Sequence, residues 1–367
     1  MKDSEEGNLI KGFDENENIL ETVDDDKNLE NKKRRNKYIL ISTIIVVIII
    51  ITIIILIFTV FNKNSDSESD SDSKDQEKTD PINEIDTIPN EEMNKARNAF
   101  KQYKYIDTKN NSYILDYNLF IPENYTTDKK YPLIMFIEDA SLVGSDNIKI
   151  ALENTVGGPI WATDTEQKKH ECFVLVPQYK ERIIDDNNNQ FFLSEYINVT
   201  ERLIQKLISD YSIDKGRIYS TGQSMGAMTT LYLLSNFPNL LTAGLIVDGQ
   251  WKLDELKGLI NSTFTYFAAG GDEKAFKGQT EVKQYFNSLN TSYGELNDID
   301  AQEKIDNLNE MANSIYDLNY SYNFITYKSG SVFPPGVKKT SEHMASFKYG
   351  YRIDKVRDWI FQQNKKY

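Results

Sequence analysis

A single cysteine, Cys172, stands among 367 residues. That scarcity excludes an intrachain disulfide framework and any metal site built from several thiolates. The residue lies inside the apolar run Cys172-Phe-Val-Leu-Val-Pro, so a buried, inert thiol is expected. Positive charge is short as well: 42 Lys and Arg face 56 Asp and Glu, a net charge of -14. A general nucleic-acid binder gains its affinity by neutralising phosphates, and this balance argues against one. Histidine occurs twice, so any chemistry that needs an imidazole has two candidates. No internal repeat is present.

What is abundant comes first at the N-terminus. Residues 1 to about 31 are dominated by Asp, Glu, Asn and Lys, a composition that cannot bury enough apolar surface to offset chain entropy. A disordered tail is therefore expected over 1–37, closing in the basic cluster Lys32-Lys-Arg-Arg-Asn-Lys37. Tyr38 to Phe61 is uncharged and made mostly of Ile, Leu, Val and Thr. About 20 apolar residues span a bilayer core as a helix, and this run is longer. A cleaved signal peptide has a shorter apolar region, a brief polar lead and a small-residue cleavage site; none of these is found, so a transmembrane helix is expected over 38–61. Its basic flank places the tail in the cytoplasm and everything after Phe61 outside, in a single-pass arrangement. Residues 62–92, with Ser-Asp-Ser-Glu-Ser-Asp-Ser-Asp-Ser at their heart, read as an acidic flexible tether with an end-to-end distance of roughly 30 Å.

The remainder, 93–367, alternates strand and helix signals. Tyr113-Ile-Leu-Asp-Tyr-Asn-Leu-Phe reads as an outer strand. Leu133 to Ile137, Phe173 to Val176, Arg217 to Ser220, Ala243 to Val247 and Phe264 to Ala269 are short, largely apolar runs, the pattern of strands buried on both faces. Helical spacing falls over Leu193 to Tyr211, Ala227 to Asn236 and about Lys355 to Gln363. This order implies right-handed crossovers and an α/β fold: a mostly parallel sheet with helices on both faces. Active sites in such sheets gather at the carboxyl ends of the strands.

One such end carries Gly222-Gln-Ser-Met-Gly226, a G-x-S-x-G pentapeptide between a predicted strand and a predicted helix. That context puts Ser224 on a sharp turn with its oxygen lifted clear of the sheet, and aims the Met225 N–H at any negative charge forming on a bound carbonyl. A serine hydroxyl needs a base to take its proton, and imidazole is suited to the task. His170 precedes the serine in a hydrophilic loop and is expected to be a surface residue. His343 lies near the C-terminus, after Ser224, which is the order Ser, acid, His of the nucleophile-elbow hydrolases. The acid between them must orient the imidazole and stabilise its cation. Asp272, after Phe264 to Ala269 and Gly270-Gly271, is preferred; Asp248, one strand earlier, is the alternative acid, with a turn or cap role as its other reading. A second oxyanion donor is expected from the backbone of Glu138-Asp-Ala-Ser-Leu-Val-Gly144, around Ala140. A carboxylate so close to a developing oxyanion opposes it unless it is paired or points away.

The segments Tyr131-Pro-Leu-Ile-Met-Phe-Ile, Phe173-Val-Leu-Val-Pro-Gln, Arg217-Ile-Tyr-Ser-Thr-Gly-Gln-Ser-Met-Gly-Ala-Met, Val247-Asp-Gly and Ser341-Glu-His-Met-Ala-Ser-Phe resemble the secreted carboxylesterase and predicted-peptidase branch of the α/β-hydrolases. That branch is similar to polyhydroxybutyrate-depolymerase-like, feruloyl and acetyl-xylan esterases. The resemblance runs from about residue 95 to the end and implies Ser224 as nucleophile, His343 as base and Asp272 as acid. It implies an ester or acylated substrate, with neither metal nor organic cofactor. Relatives commonly carry His-Gly where this chain has Glu138-Asp139. A serine peptidase of the same fold and a catalytically silent surface binding module are the alternative readings. The insertion from about Phe276 to Tyr322, rich in Asn, Asp and Glu, is expected to form either a cap or a pair of surface helices. No feature of the sequence fixes an oligomeric state.

Overall fold

The computed structural model describes residues 87–187 and 190–366. The expected tail, transmembrane helix and nearly all of the tether, residues 1–86, lie outside the described residues. Among the described residues no helix is long and apolar enough to cross a membrane.

Eleven strands form among the described residues: β1 (Lys101–Ile106), β2 (Ile114–Phe120), β3 (Tyr131–Ile137), β4 (Phe173–Gln178), β5 (Ile184–Asp185), β6 (Phe192–Leu193), β7 (Ile213–Gln223), β8 (Ala243–Val247), β9 (Phe264–Ala269), β10 (Gly294–Ile299) and β11 (Tyr322–Tyr327). Nine of them make one sheet in the order β1-β2-β4-β3-β7-β8-β9-β11-β10, and β5 pairs with β6 as a separate short ribbon. In the large sheet only β2 runs against its neighbours; the pairs from β4 to β10 are parallel. The central strands are buried along their whole length, as apolar runs without polar alternation require.

The helices are α1 (Asn90–Ala99), α2 (Ile150–Asn154), α3 (Asp164–Lys169), α4 (Tyr196–Asp210), α5 (Met225–Asn236), α6 (Leu253–Leu256), α7 (Glu273–Ser288), α8 (Ile305–Tyr316), α9 (Glu342–Ser346), α10 (Tyr349–Arg352) and α11 (Asp354–Gln362). Side chains along a strand point alternately to opposite faces, and the core divides accordingly. Ile134 and Phe136 of β3 join one apolar cluster with Met93 of α1, Ile315 of α8 and Ile360 of α11. Leu133, Met135 and Ile137 join the other with Leu203 of α4, Leu231 of α5 and Phe286 of α7. Two buried layers thus clamp the sheet and fix its strand ends.

Strand register sets the site. Ile137 of β3 lies opposite Gly222 of β7, and Gln223 opposite Val247 of β8. The chain therefore leaves three adjacent parallel strands at nearly one level, presenting Glu138, Ser224 and Asp248 along one edge.

Three expectations need correction. The helix expected from Leu193 begins at Tyr196, because Phe192–Leu193 pair with Ile184–Asp185 and Ser194 N–H bonds the Ile183 carbonyl at 2.8 Å. The insertion 276–322 is neither cap nor helix pair: it completes α7, supplies β10 as a parallel edge strand on β11, and adds α8 over that edge. Its polar composition conceals a strand that buries only Gly294 fully and half-buries Leu296 and Ile299. His170 is half-buried rather than a free surface residue, stacked on Phe361 at 4.6 Å and bonded through Nε2 to Asp358 Oδ1 at 2.9 Å. Cys172 is buried as expected, and burial raises its thiol pKa far above the ordinary value.

Candidate active site

Strand β7 ends at Gln223 and α5 begins at Met225, so Ser224 alone reverses the chain. Its backbone sits at φ 52 and ψ -112, a conformation that costs a non-glycine residue about 1–3 kcal/mol. The surrounding structure holds it there: Ser224 N–H donates to the Val247 carbonyl at 3.1 Å, and its own carbonyl accepts from Met228 N–H at 2.9 Å. The flanking glycines are required by space. A Cβ on Gly222 would fall 2.5 Å from the Gly226 carbonyl carbon, and one on Gly226 would fall 2.0 Å from the Ile137 oxygen. Small residues there let the start of α5 press against the end of β3.

His343 reaches the serine from α9. Its Nε2 lies 2.8 Å from Ser224 Oγ, and its Nδ1 lies 2.5 Å from Asp272 Oδ2. Asp272 is buried and caps α7, its Oδ1 accepting from Ala275 N–H at 3.2 Å, so one carboxylate oxygen anchors the helix while the other faces the ring. Glu342 holds the imidazole's loop in place. Its carboxylate accepts from Gly271 N–H at 2.9 Å and Gly330 N–H at 2.7 Å, tying α9 to the segments that follow β9 and β11. The edge of Phe347 against the ring, at 5.0 Å, limits its rotation. Burial opposes protonation of His343, but the hydrogen bond and charge of Asp272, joined by the charges of Asp248 and Asp139, outweigh it and raise the pKa above 6.5.

Asp248 does not take the place of Asp272. Both ring nitrogens are already engaged, and Asp248 Oδ1 instead accepts from Ala269 N–H at 2.7 Å, fixing the end of β9. It too has a positive φ, 47°. Burial, then the nearby charge of Asp272, pushes its pKa up to about 7.

Around the expected oxyanion donors the two acids are held differently. Asp139 Oδ1 accepts from Ser141 N–H at 2.9 Å and from its hydroxyl at 2.5 Å, while Oδ2 accepts from Gln223 Nε2 at 2.9 Å. Glu138 has no exposed surface, and burial pushes its carboxyl up to about 8, a protonated acid at neutral pH. Ala140 lies in the turn closed by Leu142 N–H on the Asp139 carbonyl, 3.2 Å, and Met225 opens α5 with an N–H that has no partner one turn back. Gln223 and Glu342 were invisible as site residues in the sequence. Gln223 sits inside the pentapeptide at a variable position, and Glu342 neighbours the histidine, so proximity to the motifs is the one signal that marks them.

No family model and no curated protein matches the chain. Among solved structures, a thermostable esterase is 22% identical with a TM-score of 0.55, over 74% of this chain and 64% of that one. The chain thus spans less than two thirds of that structure's length. A feruloyl esterase module from Clostridium thermocellum is 13% identical with a TM-score of 0.41, over 76% of this chain and 94% of that one. Dipeptidyl peptidase 4 of Porphyromonas gingivalis is 10% identical with a TM-score of 0.45, over 72% of this chain and 35% of that one. These two looser likenesses bear no weight here. From the sheet order, the strand-to-helix turn at Ser224 and the likeness to the thermostable esterase, the described residues have the α/β-hydrolase fold.

Proposed function

We propose that this chain is a serine hydrolase that cleaves a carboxylic ester, held outside the cytoplasm by a membrane anchor over 38–61. The observation that carries the hydrolase reading is His343, bridging Ser224 Oγ at 2.8 Å and Asp272 Oδ2 at 2.5 Å on one edge of the sheet. The likeness in fold to a thermostable esterase supports the choice of ester. The anchor rests on the uncharged run Tyr38 to Phe61 and its basic flank.

In this reading Ser224 Oγ attacks the ester carbonyl carbon while its proton passes to His343 Nε2. Asp272 stabilises the resulting imidazolium and keeps the ring in the tautomer that receives the proton at Nε2. The tetrahedral oxyanion takes hydrogen bonds from the Met225 and Ala140 N–H groups. Collapse expels the alcohol, which leaves with the proton from His343. Water then gives a proton to His343 and attacks the acyl-enzyme, and collapse releases the acid while His343 returns that proton to Ser224 Oγ. The hydrogen bonds from Ser141 and Gln223 disperse part of the Asp139 charge, and the raised pKa of Glu138 keeps that carboxyl protonated, so the repulsion that two carboxylates would exert on the oxyanion is reduced.

The test is covalent labelling with a fluorophosphonate. Labelling at Ser224 that vanishes in Ser224→Ala, with hydrolysis of short-chain p-nitrophenyl esters, is the expected result. Absence of labelling in the native chain would sink the enzyme reading and leave a silent binding module. Cleavage of peptide anilides in preference to esters would make it a peptidase. For the anchor, deletion of 38–61 is expected to release the protein from the membrane fraction; a deletion variant that stays membrane-bound would contradict it.

A further inference from the structure

Of the Ala140, Ser141 and Leu142 N–H groups in the turn after β3, two are already bonded within the turn. Ser141 N–H donates to Asp139 Oδ1 at 2.9 Å, and Leu142 N–H donates to the Asp139 carbonyl at 3.2 Å. Ala140 N–H makes no backbone bond of this kind among the described residues, which leaves it as the donor able to meet a ligand. Asp139, whose side chain shapes the turn, is in turn gripped from the neighbouring strand: its Oδ2 accepts from Gln223 Nε2 at 2.9 Å, and both residues are 4% exposed.

The two ends of that bond sit where the oxyanion donors begin. Asp139 directly precedes Ala140, and Gln223, the last residue of β7, directly precedes Ser224 and Met225. Pairing between β3 and β7 stops at Ile137 opposite Gly222, so the sheet ladder does not hold the turn to the serine beyond those residues. On its far side the turn is tied toward β4, by Gln178 Nε2 on the Leu142 carbonyl at 3.0 Å and Gly144 N–H on the Tyr179 carbonyl at 2.8 Å. Gln223 supplies the tie on the serine side. A buried hydrogen bond to a carboxylate is of the stronger kind, and removing its donor strands a desolvated oxygen.

We propose that Gln223 is a positioning residue for the oxyanion site: through Asp139 it sets the Ala140 N–H beside the Met225 N–H, so that both meet one oxygen. The acid that stands close to the developing charge is then the group that orders the turn. The inference rests on the serine-hydrolase reading and deepens it. Because the oxyanion is absent from the bound substrate, misalignment of its donors is read in kcat and leaves KM nearly unchanged.

The experiment uses the detergent-solubilised full chain, p-nitrophenyl butyrate, and a pH above the acid limb of the rate. Turnover is expressed per Ser224 labelled by a fluorophosphonate after long incubation, so that a misfolded fraction does not count. Gln223→Met, which keeps the length and loses the donor, is expected to lower kcat about 100-fold, the scale of losing one oxyanion donor, with KM within about threefold. Gln223→Asn, one carbon shorter, is the milder break and is expected to lose about tenfold. The inhibition constant of an aryl trifluoromethyl ketone, which forms a tetrahedral oxyanion on the serine, is expected to rise in step with the fall in kcat. Asp139→Ala combined with Gln223→Met is expected to lose little more than the worse single variant, because both break one link. A kcat within threefold of native in both Gln223 variants, a loss confined to KM, an unchanged ketone affinity, or single losses that multiply in the double variant would each overturn the proposal while the native chain still turns over. A native chain that neither turns over nor labels would remove the serine-hydrolase reading along with it.

Discussion

Replacing Glu138 by glutamine tests how the chain tolerates a buried acid behind the proposed oxyanion turn. Oε1 accepts from Tyr179 N–H and Gln178 Nε2, each at 3.2 Å, and Oε2 is buried with no hydrogen-bond partner among the described residues. Burial raises the carboxyl from 4.5 to about 8; the Tyr179 N–H pulls the other way, and Asp139 adds to the rise. In the unfolded chain the same group ionises near 4.5. Between these values the folded state holds a proton that the unfolded state has lost, so stability falls as pH rises through the window and levels off above it. At about 1.4 kcal/mol per pH unit, the whole window is worth on the order of 5 kcal/mol. Glu138→Gln cannot ionise and loses that slope. It leaves an amide N–H₂ buried where Oε2 stood, a pH-independent cost of about 1–3 kcal/mol. The variant is therefore expected to be the less stable protein near pH 4.5 and the more stable one at pH 8. Urea unfolding followed by tryptophan fluorescence measures this directly, because all three tryptophans, Trp161, Trp251 and Trp359, lie in the folded part. Parallel midpoints for the two proteins from pH 4.5 to 8 would refute the reasoning.

Further outcomes concern catalysis. Asp272→Asn is expected to lower kcat on a p-nitrophenyl ester by about 10⁴-fold, the scale seen when a triad acid is neutralised; Asp248→Asn, which keeps an oxygen to accept from Ala269 N–H and replaces a carboxylate that bonds neither ring nitrogen, is expected to cost less than tenfold, and a reversed order would reassign the acid. The rate is expected to fall as pH drops through the raised His343 pKa, with its acid midpoint above 6.5, since the base must be unprotonated. Asp139→Asn removes one of the charges that raise it, so the acid limb is expected to move down, and a limb that stays in place would contradict the attribution. Gly226→Ala puts a methyl 2.0 Å from the Ile137 oxygen and must displace α5; a loss of about 100-fold in kcat/KM is expected, and full activity would show that the turn has slack.

Much of this arrangement was legible from residues. Ala243 to Val247 and Phe264 to Ala269 matched β8 and β9 residue for residue, because a strand buried on both faces leaves no polar position to blur its ends, whereas Arg217 to Ser220 caught only the middle of β7. Ser224 and His343 were legible because a pentapeptide with two sterically required glycines, and a histidine in the right chain order, are local signals. The choice between Asp272 and Asp248 was not local. Both follow parallel strands, and only the placement of α9 decides which carboxylate meets the ring. The bonds from Gln223 to Asp139 and from Glu342 to Gly271 join residues far apart in the chain, and no spacing rule announces them. Likewise β10 hides in an Asn- and Asp-rich stretch because an edge strand buries little.

The most direct test of the central claim is p-nitrophenyl butyrate hydrolysis by the full chain beside Ser224→Ala and His343→Ala. The account predicts turnover in the native protein and a loss of at least 10³-fold in each variant, with unfolding midpoints unchanged or higher for Ser224→Ala. Turnover retained in Ser224→Ala would contradict it.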